Sequence, residues 1–295
     1  MSNFWRTGPL SVVLVLALAG CGEERSAMTD AAPTDHGTRY TATAIVLEST
    51  DHGPQLCLGG VATSFPPQCG GPDIVGWDWA SVDGEESHNG TTWGEYTVLG
   101  TYDGESFTLA EPPTPTGRGD QDLPGQPDVD RFVTPCEPPP GGWTAVADAA
   151  TATDTALQAT IAYAQSQPDY AGLWLDQSIN PAVTAGPVDE AAGNDPARLI
   201  LNVKFTGHLD RHRQELRAIW DGALCVSSAV RTEAELLAIQ AEVTAPPSVL
   251  SSSVDIIRGI VELHVVADTE GLQQRLDERY GLGVVHVTSA LTPTD

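Results

Sequence analysis

A proline-rich segment in the middle of the chain constrains its fold more than any other feature. Residues 112–142 contain nine prolines. Because proline lacks a backbone N–H and fixes φ, this density precludes a packed helix or strand and favours a stiff, extended linker. We therefore predict a domain boundary here. The 295 residues of the chain suffice for two cores, one in residues 39–111 and one in residues 143–295.

Residues 39–111 have the pattern of a small β-domain. Short runs rich in β-branched and aromatic residues alternate with turn residues, and Asp103-Gly104 separates two such runs. An Asp-Gly pair in this position predicts a hairpin. About five short strands in a segment of this length predict a small β-barrel or sandwich, and an OB-like barrel is one option.

Three tryptophans lie in this β-like part. A strand over residues 74–79 would place Ile74 on the face opposite Trp77 and Trp79, and Trp93 lies in a later strand. Such residues form a barrel core or stack on a sugar ring, and the core is the interpretation we favour.

The pattern changes after Trp143, where helical and strand-like segments alternate. Thr232 and Glu235 form a capping box at the start of one helix. Alternation of this kind predicts an α+β domain with one sheet layered by helices. The predicted helices cover residues 153–165, 208–220, 232–243 and 269–280, and the predicted strands cover residues 170–176, 198–206, 223–227, 252–267 and 284–288.

The N-terminus carries the pattern of an export signal. Arg6 precedes a short apolar run over residues 10–19, about half the length that a membrane-spanning helix needs. The following Leu18-Ala19-Gly20-Cys21 resembles the lipobox of bacterial lipoproteins. That resemblance implies cleavage of residues 1–20, acylation of the Cys21 sulfur and a lipid anchor at the extracytoplasmic face of the cell membrane. The alternatives are an uncleaved anchor or an ordinary signal. The polar residues 21–38 that follow are predicted to form a tether.

The net charge of −26 excludes one class of partner. A surface this acidic repels nucleic acid and anionic lipid headgroups. The predicted lipid, rather than the protein surface, must therefore hold the chain at the membrane.

Four cysteines remain after Cys21. An even number in an exported chain predicts two disulfides, for which three connectivities exist. Cys57 and Cys69 flank a Gly/Pro-rich stretch, so we pair those two, and Cys136–Cys225 then follows. The second bridge would staple the proline-rich linker to the C-terminal part. Zinc on these cysteines is disfavoured because the chain contains no Cys-x-x-Cys.

His208 and His212 are the weak metal-ligand candidates of the sequence. A spacing of four puts both side chains on one helix face, with Glu215 beside them. His-Glu-x-x-His is absent and the sequence identifies no third ligand. We therefore interpret them as boundary histidines of an amphipathic helix and predict no metal and no cofactor.

Other chemical motifs are also weak. The acidic run from Asp120 to Asp130 lacks the calcium-loop pattern, because Pro124 takes the fifth place and Arg131 the twelfth. We interpret it as a solvated acidic linker. The chain has no Gly-x-Ser-x-Gly, and Gly281-Leu-Gly283 opens no predicted helix, so no catalytic residue or dinucleotide site is predicted.

Part of the C-terminal half resembles a known family. Residues 170–176, 232–240 and 254–290 are similar to the prodomains of α-lytic and streptogrisin-type secreted serine proteases. The resemblance implies a ferredoxin-like α+β fold, and in that family the module folds and inhibits the protease fused behind it. The N-terminal half resembles only uncharacterised exported proteins, through residues 56–59 and 66–69.

These patterns lead to one functional expectation and two alternatives. We expect a non-enzymatic cell-envelope lipoprotein that binds an exported protein or a cell-wall component. The first alternative is an envelope hydrolase with a carboxylate or metal site assembled from distant residues. The second is an inhibitor of exported serine proteases, which requires a free sheet face.

Overall fold

The computed structural model describes residues 37–116, 132–145, 152–184, 190–246, 248–269 and 271–294. The predicted signal, Cys21, nearly all of the tether and the acidic run from Asp120 to Asp130 lie outside these ranges. Within them, no helix has the length and apolar character needed to cross a membrane.

The described residues form fourteen strands and six helices. The strands are β1 (Arg39–Glu48), β2 (Gln55–Cys57), β3 (Asp73–Val75), β4 (Glu86–His88), β5 (Thr91–Tyr102), β6 (Ser106–Leu109), β7 (Thr114–Pro115), β8 (Tyr170–Asp176), β9 (Ile200–Phe205), β10 (Ala223–Ser228), β11 (Val249–Asp255), β12 (Ile260–Val265), β13 (Val285–Ser289) and β14 (Thr292–Thr294). The helices are α1 (Asp154–Gln165), α2 (Pro181–Thr184), α3 (Glu190–Gly193), α4 (Leu209–Arg217), α5 (Glu233–Val243) and α6 (Leu272–Tyr280).

The N-terminal strands close into a five-stranded barrel. β1, β2 and β3 form an antiparallel meander, β3 runs parallel to β6, and β5 is antiparallel to both β6 and β1. This order and these directions are those of an OB barrel, so the barrel expectation is confirmed and the sandwich alternative is wrong. The barrel core contains the fully buried side chains Val46, Leu56, Tyr96, Val98 and Phe107.

One predicted barrel strand is shorter than expected. β3 ends at Val75 because Gly76 follows with φ of 89°, a left-handed conformation that interrupts an extended strand. Trp79 then begins a short 3₁₀ turn, and the Asp78 side chain accepts from the Ala80 N–H. The strand predicted over residues 74–79 is therefore wrong in its second half.

The C-terminal half consists of two structural units with the same order of elements. The first unit is α1–β8–β9–α4–β10, with the short helices α2 and α3 inserted between β8 and β9, and the second is α5–β11–β12–α6–β13. In each, the first two strands are antiparallel, and a helix connects the second strand to a parallel third. The single layered sheet predicted from sequence is wrong, because the described strands form two separate three-stranded sheets with their own cores.

The C-terminal half also contacts the barrel. β14 extends the barrel sheet by pairing with β1, and Val266, Ala267 and Leu291 pack in the barrel core. β7 pairs with β5, so the proline-rich segment begins with a short strand that the sequence did not predict. Pro115 is tolerated there because β7 is a two-residue strand at the side of the sheet.

Candidate functional site

Three polar side chains of the first unit meet at one point. Asp169 lies in the turn between α1 and β8, His208 precedes α4, and His212 lies in the first turn of α4. His208 Nδ1 lies 3.1 Å from Asp169 Oδ2, and His212 Nε2 lies 3.0 Å from both carboxylate oxygens. One carboxylate therefore holds two imidazoles. We call Asp169, His208 and His212 the Asp–His–His cluster.

His212 is completely buried, although imidazole is a polar group. Its ring stacks on Phe205, with ring centroids 3.9 Å apart and an interplanar angle of 11°. Within the described residues its Nδ1 atom has no hydrogen-bond partner. Burying a polar atom without a partner costs about 1–3 kcal/mol, so packing alone does not explain a histidine here.

His208 has an unusual backbone conformation. Its φ of 52° and ψ of 32° are left-handed, which costs a non-glycine residue about 1–2 kcal/mol. In the second unit, Gly271 takes the same place before α6, with φ of 67° and ψ of 45°. The first unit therefore has a histidine where its counterpart has the residue that suits this backbone.

The guanidinium of Arg211 lies between the cluster and Glu215. Arg211 Nη2 lies 3.3 Å from His212 Nε2, and Arg211 Nε lies 4.0 Å from Glu215 Oε2. The Tyr163 hydroxyl donates to Glu215. Glu215, which the sequence placed beside the two histidines, thus pairs with Tyr163 and Arg211 and is outside the cluster.

The carboxyl of Asp169 responds to two opposing influences. Burial raises its pKa, but the hydrogen bonds from His212 and His208 outweigh burial and hold the pKa below the ordinary value. Asp169 therefore favours the ionised form, which accepts hydrogen bonds from both imidazoles.

Sequence reasoning missed Asp169 as the third member of the cluster. It is separated from His208 by 39 residues and from His212 by 43. The only local signal was the pair of histidines at helical spacing. The fold brings the carboxylate to them because α1 ends beside α4 and the chain turns into β8 at that point.

A second polar region is the outer face of the second three-stranded sheet. Along β12, inward Val261, Leu263 and Val265 are buried, and the residues between them point outward. The outward side chains line a shallow depression of about 410 Å³. We call this surface the open sheet face, and it consists of Ser251, Ser253, Glu262, His264, His286 and Thr288, with Ser252 at its margin.

The matching face of the first sheet is covered by the end of the proline-rich segment. Trp174 Nε1 donates to the Phe132 carbonyl at 3.0 Å, and the Thr134 hydroxyl donates to Asp176 at 2.7 Å. Burial raises the pKa of Asp176, but the hydrogen bonds from Thr134 and Ser178 lower it by more than burial raises it. The pKa of Asp176 therefore lies below its ordinary value. Residues 132–136 thus lie across this sheet.

Both predicted cysteine pairs lie at disulfide distance. Cys57 and Cys69 have a Cα–Cα distance of 5.7 Å, and so do Cys136 and Cys225. These distances are compatible with the two bridges. The second pair joins the covering segment to the middle of β10.

The barrel tryptophans pack inside the N-terminal part. Trp93 is buried beside Cys57, and Trp77 and Trp79 pack edge-on against each other and against Tyr96. Trp79 Nε1 donates to Glu48 at 2.5 Å. Trp77 and Trp79 thus pack against the barrel core, as predicted, whereas Trp93 lies in a separate small cluster with Leu47 and Cys57.

Similarity to known proteins adds no further site residues. No protein-family model matches the sequence, and a comparison with curated proteins finds no match.

Proposed function

We propose that the protein is a non-enzymatic lipoprotein of the cell envelope that binds an exported protein through the open sheet face. The N-terminal signal and the Leu18–Cys21 pattern support export and a lipid anchor at the extracytoplasmic face of the membrane. The two cysteine pairs at disulfide distance fit an oxidising compartment.

The observation that carries the proposal is the difference between the two sheet faces. Residues 132–136 cover the first sheet, whereas within the described part of the chain the open sheet face is not covered. Ser251, Ser253, His286 and Thr288 are exposed there. An open, shallow surface of hydroxyls and imidazoles offers donors and acceptors to another protein surface, while small-molecule sites are mostly enclosed and apolar.

Charge indicates the kind of partner. With a net charge of −26, the protein attracts basic surfaces over long range and repels acidic ones. Glu262, within the face, is paired with Arg258 and accepts from Ser253 at 3.0 Å. We therefore expect a basic exported protein whose association slows as salt rises.

Capture of envelope proteins on the immobilised full chain tests the proposal. Ser251→Arg and Thr288→Arg add bulk and positive charge to opposite sides of the face, and each should reduce partner recovery at least tenfold. Gln158→Arg, exposed on α1, is the matched control and should leave recovery unchanged. Equal recovery by the face variants and the control contradicts the proposed surface.

A second candidate function uses the same face. The prodomain-like sequence and an uncovered sheet face support inhibition of exported serine proteases of the streptogrisin type. In this case the wild-type full chain at micromolar concentration slows such a protease, and Thr288→Arg does not. A wild-type chain without effect on these proteases excludes inhibition and leaves the binding proposal standing.

A further inference from the structure

We propose that the Asp–His–His cluster binds a divalent transition-metal ion, with Zn²⁺ as the best match. Asp169, His208 and His212 supply one carboxylate and two imidazoles. Nitrogen and carboxylate donors of this kind suit zinc, nickel and copper, whereas magnesium and calcium require mostly oxygen ligands. The site lies on the first unit and is separate from the open sheet face.

The distances in the cluster fit a shared ion. The three ligand atoms lie within 4.8 Å of one another, and the Asp169 carboxylate lies 3.0–3.1 Å from both imidazole nitrogens. Tetrahedral ligands at about 2.1 Å from zinc are about 3.4 Å apart. The two Asp169–imidazole distances are a few tenths of an ångström shorter than this, and the His208 and His212 ligand atoms lie no more than 4.8 Å apart, so adjustment of the side chains brings the three atoms to ligand spacing.

Two features of the cluster serve no evident packing purpose. His212 is fully buried with its Nδ1 atom unpartnered among the described residues. His208 adopts a left-handed backbone where the second unit uses Gly271. The second unit has the same arrangement of strands and helix with glycine at this position, so the strained histidine points to a ligand rather than to stability.

The cluster is rigid on one side and open on the other. The stack on Phe205 holds His212, whereas the His208 side chain is 71% exposed and that of Asp169 is 15% exposed. An ion can therefore enter from solvent, and three protein ligands leave a fourth position for water or an external group. The positively charged guanidinium of Arg211 lies close enough to repel a bound metal ion. Glu215, on the other side of this guanidinium, can form an ion pair with Arg211 that holds it away from the metal.

Metal titration of the full chain, stripped with a chelator, tests the site. Calorimetry with Zn²⁺ should show one ion per chain, and Co²⁺ should give the visible absorption of a four-coordinate site. His208→Gly removes one ligand and places at this position the residue that suits its backbone, so the chain should fold and bind Zn²⁺ at least about tenfold more weakly. Asp169→Asn should weaken binding in the same way.

His88→Ala is the matched control, because it removes an exposed histidine in β4 of the barrel, outside both the cluster and the open sheet face. It should leave the Zn²⁺ affinity unchanged. The proposal is overturned if the wild-type chain binds no Zn²⁺ at micromolar concentration, or if His208→Gly and Asp169→Asn bind as tightly as wild type. None of these measurements depends on the open sheet face, so failure here leaves the proposed function untouched.

Discussion

The two units of the C-terminal half solve the same folding problem with different residues. Both have the order helix, strand, strand, helix, strand, and both bury apolar side chains between their sheet and helices. The second unit buries Leu276 in its crossover helix and begins that helix at Gly271. The first has His212 and His208 in the corresponding region. The comparison shows that this order of elements forms with glycine in the place of His208.

The outer faces of the two sheets differ as well. The first is covered by residues 132–136 and joined to them through Cys136 and Cys225, whereas the second carries exposed serines, histidines and a threonine. One unit thus combines a polar cluster with a covered sheet, and the other has an open sheet. Each unit therefore offers one region for function, at a different place in the same fold.

The largest expected effect concerns the bridge that belongs only to the first unit. Replacing Cys136 and Cys225 with serine together removes a cross-link between positions 89 residues apart. In the chain-entropy model this lowers the free energy of unfolding by about 4.5 kcal/mol, measured by urea denaturation. The matched pair is Cys57 and Cys69, 12 residues apart, with an expected loss of about 3 kcal/mol. Equal losses would contradict the loop-length argument.

The next effect tests whether His212 contributes to stability. His212→Ala leaves a cavity beside Phe205 and should lower the free energy of unfolding by about 2–3 kcal/mol. His212→Leu should stay within about 1 kcal/mol of wild type, because it refills the space and removes an unpartnered buried atom. Urea denaturation of both variants distinguishes them. A loss for His212→Leu as large as that for His212→Ala would show that the imidazole stabilises the fold.

Smaller changes in stability are expected at His208 and Gly271, the two residues with a left-handed backbone before α4 and α6. Gly271→Ala should lower the free energy of unfolding by about 1–2 kcal/mol, since φ is 67° and the nearest atoms to a new Cβ are 4.0 Å away. His208→Gly relieves the same strain but loses the Asp169 contact, so its stability should change by less than about 1 kcal/mol. Thermal unfolding of both variants measures the difference. A marked loss for His208→Gly would contradict the comparison.

The smallest effect is a pH dependence that belongs to the first unit. The folded-state pKa of Asp169 lies below its ordinary value of 3.8, so its ionised form stabilises the folded chain above that pH. This stabilisation disappears as pH falls through the folded-state pKa. Wild type should therefore be more stable than Asp169→Asn at pH 6, and the difference should close in strong acid. Asp51→Asn, at an exposed position in a barrel loop, is the control. A stability difference between wild type and Asp169→Asn that does not change with pH would contradict the argument.

Local features of the fold could be predicted because their causes lie within a few residues. The Asp103 side chain accepts from the backbone of Glu105 and Ser106, and this turn joins β5 to β6 as the Asp-Gly pair predicts. Thr232 and Glu235 form the predicted capping box at the start of α5. The strand over Tyr170–Asp176 has the predicted bounds for the same reason, since periodicity and flanking turn residues are local.

Long-range pairing was decided only by the tertiary structure. Whether the C-terminal strands form one sheet or two depends on which edges meet, and no local pattern encodes that choice. The sequence by itself determined that His208 and His212 lie four residues apart, the spacing that places two side chains on one face of a helix. Its partner Asp169, 43 residues before His212, reaches it only because α1 and α4 pack on one sheet. Contacts of this kind are formed by packing, and a single sequence does not display them.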